Sequence, residues 1–425
     1  MLTSLRHLLT LCAFLPAFFA AATSAQTPEP GESIRVYVVT LSPGTNAVWE
    51  RFGHNALVIE DPTDPREDRR SVAYNWGTFD FDQPNFVGRF IMGRMLYMLT
   101  VWPVDLMLDM YRREDRTISV IELNLTPAEK LRLRSLAETN ARPENAEYRY
   151  DYYRDNCSTR IRDIIDQALD GAVQRALSDR PTDSTYRSHT RRLTATAWHW
   201  NFALNYIMGH PIDQPLSEWE AGFIPAELER SLKSITLPDG RPLVSGATVL
   251  HQSTRPPPPS EVPDFRWINL LIGLLVGSAM VGAAGLMRIA RRTGIAVLLL
   301  LGMGWTLLGA AGAGIGLWGW IFTDHVVAAR NENLLVISLL GLPLLVMLPV
   351  WLIWKRAPRW TIGLAAGNLL LCMLAIGLKA LPWFYQPNAE IILLALPIHA
   401  GLLIALLLVH RGQWHRPITR TGGPA

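Results

Sequence analysis

Cysteine is scarce in this chain of 425 residues, which has only three copies. Cys12 lies in an apolar N-terminal run, Cys372 in a long apolar segment, and Cys157 in the polar part of the chain. These positions cannot readily meet, so the sequence predicts no disulfide framework. The HExxH and paired CxxC spacings typical of zinc sites are missing as well. We therefore predict no metal and no cofactor.

A strong charge of one sign is also missing. The chain has 40 Lys and Arg against 37 Asp and Glu, a formal net charge of +3. This excess is too small to indicate nucleic acid as a partner. The apolar segments hold no run of charged residues, which argues against a transporter or a proton relay.

Long hydrophobic runs are abundant, and they divide the chain. The first 25 residues have a basic start, the apolar run LLTLCAFLPAFFAAA and small residues before position 25, which predicts a signal peptide (1–25), although a retained anchor is the alternative. A globular domain (26–255) and a proline-rich linker (256–265) follow. Five apolar stretches then predict a five-helix transmembrane domain (266–410) with spans at 267–287, 294–321, 334–354, 361–382 and 391–409.

The loops between these spans predict the orientation of the protein. Basic residues concentrate after the first span (RIARR), after the third span (KRAPR) and in the tail (411–425). By the positive-inside rule the tail is cytoplasmic and the large N-terminal domain lies outside. The signal peptide leads to the same orientation. We predict a multi-pass protein of the bacterial inner membrane with its large domain in the periplasm.

Three strand-like runs and one helix carry the candidate chemistry. The runs SIRVYVVTLSPG, VWERFGHNALVIED and SVAYNWGTFDFD are rich in β-branched and aromatic residues, and the second and third contain His54, Tyr74 and Asn75. Cys157 begins DNCSTRIRDIIDQAL, an amphipathic helix that Asp155 or Asn156 can cap.

A thiol at a helix start, a histidine and a third polar group make up a nucleophilic site. The helix N-terminus favours the thiolate, an imidazole can accept the proton, and a polar residue on the next strand can orient the imidazole. The alternative is that Cys157 is a small buried apolar residue with no chemical role.

The stretches SPG–FGHNALVIED–YNWGTFDFD and YRYDYYRDNCSTRIRDII resemble the Lnb N-terminal periplasmic domain family, as do GRMLYML and TAWHWNFALNYIMGHPIDQPLSEWEAGFIP. This family resembles circularly permuted NlpC-type enzymes, and lecithin:retinol acyltransferase has the same order of histidine before cysteine. The resemblance implies an α+β permuted papain-like (NlpC-type) periplasmic domain, followed here by the all-α five-helix transmembrane domain.

The resemblance also implies roles for individual residues. Cys157 is expected to be the nucleophile, His54 the base and Asn75 the residue that orients His54. Permuted relatives often have a histidine at the third position, so Asn55, Tyr74 and Ser42 remain alternatives to Asn75. Asn156 and the main-chain N–H of Cys157 are candidates for oxyanion stabilisation, because a helix start has free N–H groups.

The loop FTDHVVAARNENLL after the second predicted span holds a second polar group. The motif places Asp324, His325, Asn331 and Asn333 at the external membrane face, beneath the globular domain. A solvated loop is one interpretation. Lnb-like proteins have a similar pattern here, and the resemblance favours a site for a lipid headgroup or a polar substrate.

Three functions remain in competition at this stage. The favoured hypothesis is a cysteine acyltransferase in which a membrane phospholipid donates an acyl chain through a Cys157 thioester to an amine, such as the N-terminus of a lipoprotein. The second is an NlpC-type peptidoglycan amidase or peptidase, and the third is a non-enzymatic envelope scaffold. The sequence does not define an oligomeric state.

Overall fold

The computed structural model describes residues 29–414. The predicted signal peptide (1–25) and residues 415–425 of the predicted tail lie outside these described residues. Within them, an N-terminal part built around one β-sheet is followed by a C-terminal part made of long apolar helices.

A single antiparallel sheet of seven strands organises the N-terminal part. Its strands lie in the order β6-β4-β3-β2-β1-β5-β7. Their bounds are β1 Arg35–Leu41, β2 His54–Glu60, β3 Ser71–Thr78, β4 Leu96–Pro103, β5 Ile118–Leu123, β6 Glu147–Arg149 and β7 Val244–His251. The three strands predicted from the sequence are β1, β2 and β3, and they are confirmed as neighbours in the sheet.

Helices surround this sheet and connect it to the second half of the chain. Their bounds are α1 Phe86–Ile91, α2 Val104–Arg113, α3 Pro127–Asn140, α4 Pro143–Ala146, α5 Cys157–Ala168, α6 Ala172–Leu177, α7 Tyr186–Leu193, α8 Trp198–Ile207, α9 Glu218–Ala221 and α10 Pro225–Lys233. The predicted helix at Cys157 is confirmed as α5.

The two faces of the sheet bury different helices, because successive side chains of a strand point to opposite sides. On one face, Leu57 and Tyr74 share a core with α3, α5 and α10. On the other face, Ala56 and Ala73 pack against α2 through Met107. Residues of β2 and β3 therefore alternate between two separate cores.

The C-terminal part consists of α11 Arg266–Leu286, α12 Arg291–Phe322, α13 Asn333–Val336, α14 Leu344–Leu352, α15 Pro358–Gly377 and α16 Ala389–Trp414. Four of these, α11, α12, α15 and α16, are long and apolar enough to cross a membrane. The third predicted span (334–354) is not one continuous helix, because the segments 333–341 and 344–352 are bent by 51° relative to each other. Small residues allow α11 and α16 to pack closely, because a Cβ on Gly401 of α16 would clash with the Cα of Gly277 of α11.

The two parts are packed together and not joined by the linker alone. Tyr206 of α8 is buried among apolar side chains of the C-terminal helices, and its hydroxyl donates to the carbonyl of Ile337 at 3.2 Å. The linker is held as well, since Arg191 donates to the Pro263 carbonyl and forms an ion pair with Glu390 of α16. The sheet is therefore docked on the helical bundle.

Candidate active site

The candidate site lies at the end of the sheet where β2 begins. His54 is the first residue of β2 and Cys157 is the first residue of α5. Gly53 precedes His54 with a φ of 82°, and a Cβ there would lie 2.8 Å from the Leu41 carbonyl oxygen. Only glycine adopts this turn without strain, so the sequence FGH fixes the direction in which the histidine leaves the strand.

Asn75 is positioned to orient the imidazole of His54. Both residues lie on the sheet face that packs against α2, and Nε2 of His54 is 3.3 Å from Oδ1 of Asn75. The ring of His54 also stacks on Tyr111 of α2, with centroids 6.2 Å apart. In the tautomer that carries its proton on Nε2, the imidazole donates to Asn75, and Nδ1 is left to accept a proton from the thiol.

The surroundings of Cys157 favour its thiolate. Burial alone would raise the pKa of this thiol, but the charge of His54, its hydrogen bond to the sulfur and a bond from the main-chain N–H of Asn55 lower the pKa to about 7. The hydroxyl of Ser158 is 3.9 Å from the sulfur and acts in the same direction. A thiol with this pKa is about half ionised at neutral pH, which suits a nucleophile.

A bulge in β3 makes room for the start of α5. The pairing of β3 with β4 shifts between Trp76 and Thr78, and the intervening Gly77 has a φ of 98°. A Cβ on Gly77 would contact the Cβ of Cys157 at 3.5 Å. The backbone of β3 therefore lies against the side chain of Cys157 at this position.

Asn156 holds the helix start, and this differs from the expected oxyanion role of its side chain. Its Oδ1 accepts from the N–H groups of Ser158 and Thr159, and its Nδ2 donates to two carbonyls, those of Tyr152 and Phe223. The side chain is therefore fully used as an N-cap. Within residues 29–414, the main-chain N–H of Cys157 has no hydrogen-bond acceptor, so it remains the candidate donor to an oxyanion.

The three alternatives to Asn75 have other partners. The side chain of Asn55 bonds Thr40 and Ser158, and thereby ties β1 and β2 to α5. The hydroxyl of Ser42 accepts from the Thr117 N–H at 2.8 Å. Tyr74 is buried in the core on the α5 side of the sheet, opposite Asn75. The structure brings Cys157, His54 and Asn75 together. The side chain of Tyr74 points into the core and away from Asn75.

A cleft lined by aromatic rings lies near the candidate site, and Cys157 is not one of its lining residues. Tyr97 and Tyr150 line it and stack on each other with centroids 3.9 Å apart. Burial and the nearby Cys157 raise the pKa of both phenols, so they stay neutral. The opposite wall of the cleft is formed by residues 324–327 of the loop that follows α12.

Asp324 and His325 attach that loop to the sheet domain. The carboxylate of Asp324 forms ion pairs with Arg94 at 2.9 Å and with Arg149 at 2.5 Å, and these two side chains hold its pKa at about 2. Nε2 of His325 donates to the Phe90 carbonyl at 3.0 Å. The loop therefore lines part of the cleft, and its acidic residue pairs with two guanidinium groups.

Asn331 and Asn333 are not part of the exposed cleft, which corrects the expectation that they contact a headgroup. Both are buried, and their side-chain amides donate to the carbonyl of Tyr206 at 2.8 and 2.9 Å. They cap the C-terminal end of α8, whose last carbonyls have no partner inside the helix. Their role is to dock α8 on the helical bundle.

Sequence reasoning missed Arg94, Arg149 and the stacked pair Tyr97 and Tyr150. All four lie in the motifs GRMLYML and YRYDYYRDNC. These motifs contribute to the family resemblance as whole stretches, and the resemblance implies no role for these four residues. The available signal was the density of tyrosine and arginine immediately before Cys157. Among residues 29–414, no group of three His, Cys, Asp or Glu residues could hold a metal ion.

Comparison with known proteins finds one similar domain family. Residues 30–192 match the family model described as the Lnb N-terminal periplasmic domain. This segment contains His54, Asn75 and Cys157 and ends before α8. No curated protein and no solved structure matches the chain.

Proposed function

We propose that this chain, whose residues 30–192 belong to the Lnb N-terminal periplasmic domain family, is a membrane-bound cysteine acyltransferase. The family indicates a periplasmic protein of the Lnb type that takes part in lipoprotein modification. The finer proposal is that a phospholipid donates an acyl chain to Cys157 and that an amine, such as a lipoprotein N-terminus, receives it. No cofactor is required for this chemistry.

One observation favours the acyltransferase over the amidase and the scaffold. Tyr97 and Tyr150, which are close enough to Cys157 for its charge to raise their pKa, line a cleft together with the loop after α12, a helix apolar enough to cross a membrane. A cleft shared in this way suits a substrate that resides in the bilayer. An amidase that acts on the cell wall has no need of a cleft lined by a loop between membrane helices.

The first half of the reaction forms a thioester. The Cys157 thiolate attacks the carbonyl carbon of a lipid ester, and negative charge develops on the carbonyl oxygen, where the free N–H of Cys157 can donate. The tetrahedral intermediate collapses with cleavage of the ester C–O bond. The protonated His54 gives its proton to the departing alkoxide, which leaves as a lysophospholipid.

The second half transfers the acyl group. A neutral amine attacks the thioester carbonyl, and His54, now without its proton, accepts a proton from the amine nitrogen. The C–S bond breaks, an amide is formed and the thiolate returns. In both halves of the reaction Asn75 accepts a hydrogen bond from Nε2 of the His54 imidazole, so that Nδ1 faces the reacting atoms.

The charges at the cleft mouth suit a phosphate. Arg94 and Arg149 share Asp324 as a partner beside the cleft, which Asp151 also lines, and both arginine side chains are more than half exposed. Guanidinium groups bind phosphate oxygens in a bidentate manner. We place the donor headgroup here, against the stacked rings of Tyr97 and Tyr150.

We extend the proposal to the fold and the location. A histidine on a strand followed by a cysteine at a helix start against an antiparallel sheet supports the permuted papain-like interpretation. The basic loops support an inner-membrane protein with its C-terminus in the cytoplasm.

The decisive experiment measures the acyl state of the full-length protein in native membranes. Intact mass and release by hydroxylamine are compared for the wild type, Cys157→Ser and the matched control Cys372→Ser. We expect a hydroxylamine-labile adduct of long-chain acyl mass on the wild type and on Cys372→Ser, and none on Cys157→Ser.

The other outcomes separate the competing functions. If no adduct forms and the protein digests purified peptidoglycan in a Cys157-dependent manner, the amidase hypothesis replaces this one. If no adduct forms, peptidoglycan stays intact and Cys157 resists alkylation in the folded protein, the scaffold hypothesis is correct.

A further inference from the structure

The short helix α1 displays an apolar stripe that the sheet domain does not cover. Val87, Phe90 and Ile91 are 66%, 51% and 47% exposed, and no residue of α1 is buried. The three positions are spaced i, i+3 and i+4, so they lie on one side of the helix. Soluble domains rarely leave such a patch in water, and it commonly marks a site of interaction.

The position of α1 identifies what covers this stripe. The Asp324 N–H donates to the Met92 carbonyl at 3.0 Å, and His325 donates to the carbonyl of Phe90. Both donors lie within three residues of Phe322, the last residue of α12. The stripe is therefore fastened to the end of a helix that is apolar enough to cross a membrane.

The end of α12 is itself a membrane surface. Its last two turns display Trp318, Trp320, Ile321 and Phe322, all of them exposed. Tryptophan and other large apolar residues at the end of a span are typical of the level where acyl chains meet headgroups. The stripe on α1 continues this belt onto the sheet domain, and Arg94 follows α1 closely enough to reach the headgroups.

An aromatic path leads from α1 towards the thiol. Phe86 of α1 stacks on Phe79 with centroids 6.4 Å apart, and Phe79 contacts Tyr97 at 5.1 Å. Tyr97 in turn stacks on Tyr150 in the cleft near Cys157. An acyl chain that leaves the bilayer along α1 would meet apolar rings at each step.

We propose that α1 lies in the periplasmic leaflet of the bilayer, with Val87, Phe90 and Ile91 among the acyl chains, and that it forms the lipid-access rim of the cleft. The partner is a bilayer phospholipid. The insertion of α1 is independent of the chemistry at Cys157, whereas its role as an access rim rests on the proposed function.

The test compares two exposed valines in the full chain. Val87 is on α1, and the control Val249, 54% exposed, is on β7. Strand β7 is the sheet edge opposite β6, which carries Arg149, and six strand spacings of about 4.8 Å put it about 29 Å away. A fluorophore is attached to Val87→Cys or Val249→Cys, with Cys12, Cys157 and Cys372 changed to serine, in nanodiscs of phosphatidylethanolamine and phosphatidylglycerol.

We expect nitroxide-labelled lipids to quench the probe at position 87 at least about threefold more than the probe at 249, and aqueous iodide to quench only the probe at 249. Equal quenching of both probes by iodide, with no quenching at 87 by lipid, would overturn the insertion. Because the labelled chains lack Cys157, this result does not depend on whether the acyltransferase proposal holds.

A second measurement tests the access role with the thiol present. Val87→Asp should slow thioester formation from bilayer phospholipid about tenfold, while alkylation of Cys157 by iodoacetamide stays unchanged and Val249→Asp has no effect. Val87→Ser serves as a milder variant of the same exposed position. Undiminished acylation in both Val87 variants would overturn the access role.

Discussion

The two cysteines that the structure describes have opposite surroundings. Cys157 begins a helix, is partly buried and lies beside His54, whose charge and hydrogen bond favour the thiolate. Cys372 lies inside α15, fully buried among apolar side chains that include Val336, Ala375 and Ile391.

The comparison shows that the position of a thiol in the fold decides what it can do. The first residue of a helix has an unpaired N–H and the positive end of the helix dipole close to its side chain. A residue in the interior of a helix has its backbone paired, and packing is the role left to its side chain. The predictions below sharpen this contrast, beginning with the largest effect.

Removing the base should affect Cys157 most strongly. In His54→Ala we expect the rate of thioester formation to fall about 10²- to 10⁴-fold, because proton transfer and thiolate stabilisation are lost together. The pKa of Cys157 should rise towards or above the ordinary thiol value, since burial then acts with less opposition. Single-turnover acylation and alkylation at several pH values measure both effects. A His54→Ala variant that acylates at the wild-type rate would contradict the assignment of the base.

The pH dependence of alkylation should separate the two thiols. The pKa of Cys157 is lowered to about 7, so its thiolate accumulates as the pH rises through 7. From about one tenth ionised at pH 6 to about nine tenths at pH 8, the iodoacetamide rate should increase about tenfold and then level off. Cys372 should react only after unfolding. Mass spectrometry of the modified peptides provides the measurement, and a Cys157 rate still rising steeply above pH 8.5 would argue against the lowered pKa.

Asn75 should contribute less than His54, because it acts through one neutral hydrogen bond. Losing a bond worth about 1 kcal/mol in Asn75→Ala should reduce acylation about fivefold. Asn75→Asp keeps an oxygen acceptor for Nε2 of His54, so it should recover most of the rate. Equal rates in the two variants would show that the 3.3 Å contact does not orient the ring.

Local patterns in the sequence were enough to predict much of this site. Glycine before His54, β-branched residues after it and a capping residue before Cys157 each leave a short signal, and the strands and helix that carry the site were predicted from them. The pairing of His54 with Asn75 required the register of β2 and β3, which the resemblance suggested and the spacing alone did not fix.

Other features depend on contacts between distant segments, which local sequence patterns do not predict. Asn331 and Asn333 look like an exposed polar loop, yet they are buried because the carbonyls of α8 need donors. The third span was predicted as continuous because composition reports hydropathy and not bending. Arg94 and Arg149 form one cluster only because the loop after α12 brings Asp324 into contact with both of them.

The smallest predicted effect concerns the helix cap that holds Cys157 in place. Asn156→Ala removes two bonds to the start of α5 and two to the carbonyls of Tyr152 and Phe223, whereas Thr185→Ala removes the one cap bond of α7. Thr185→Ala should cost about 1 kcal/mol of unfolding free energy and Asn156→Ala more than that, seen as a small and a larger shift of Tm in detergent. Only Asn156→Ala should also change the alkylation rate of Cys157, by about twofold, because only that cap fixes the N–H groups beside the sulfur. If Thr185→Ala slowed alkylation as much, the effect would reflect general loosening of the domain, and the distinction between a thiol activated by its helix start and one that merely packs would lose its support.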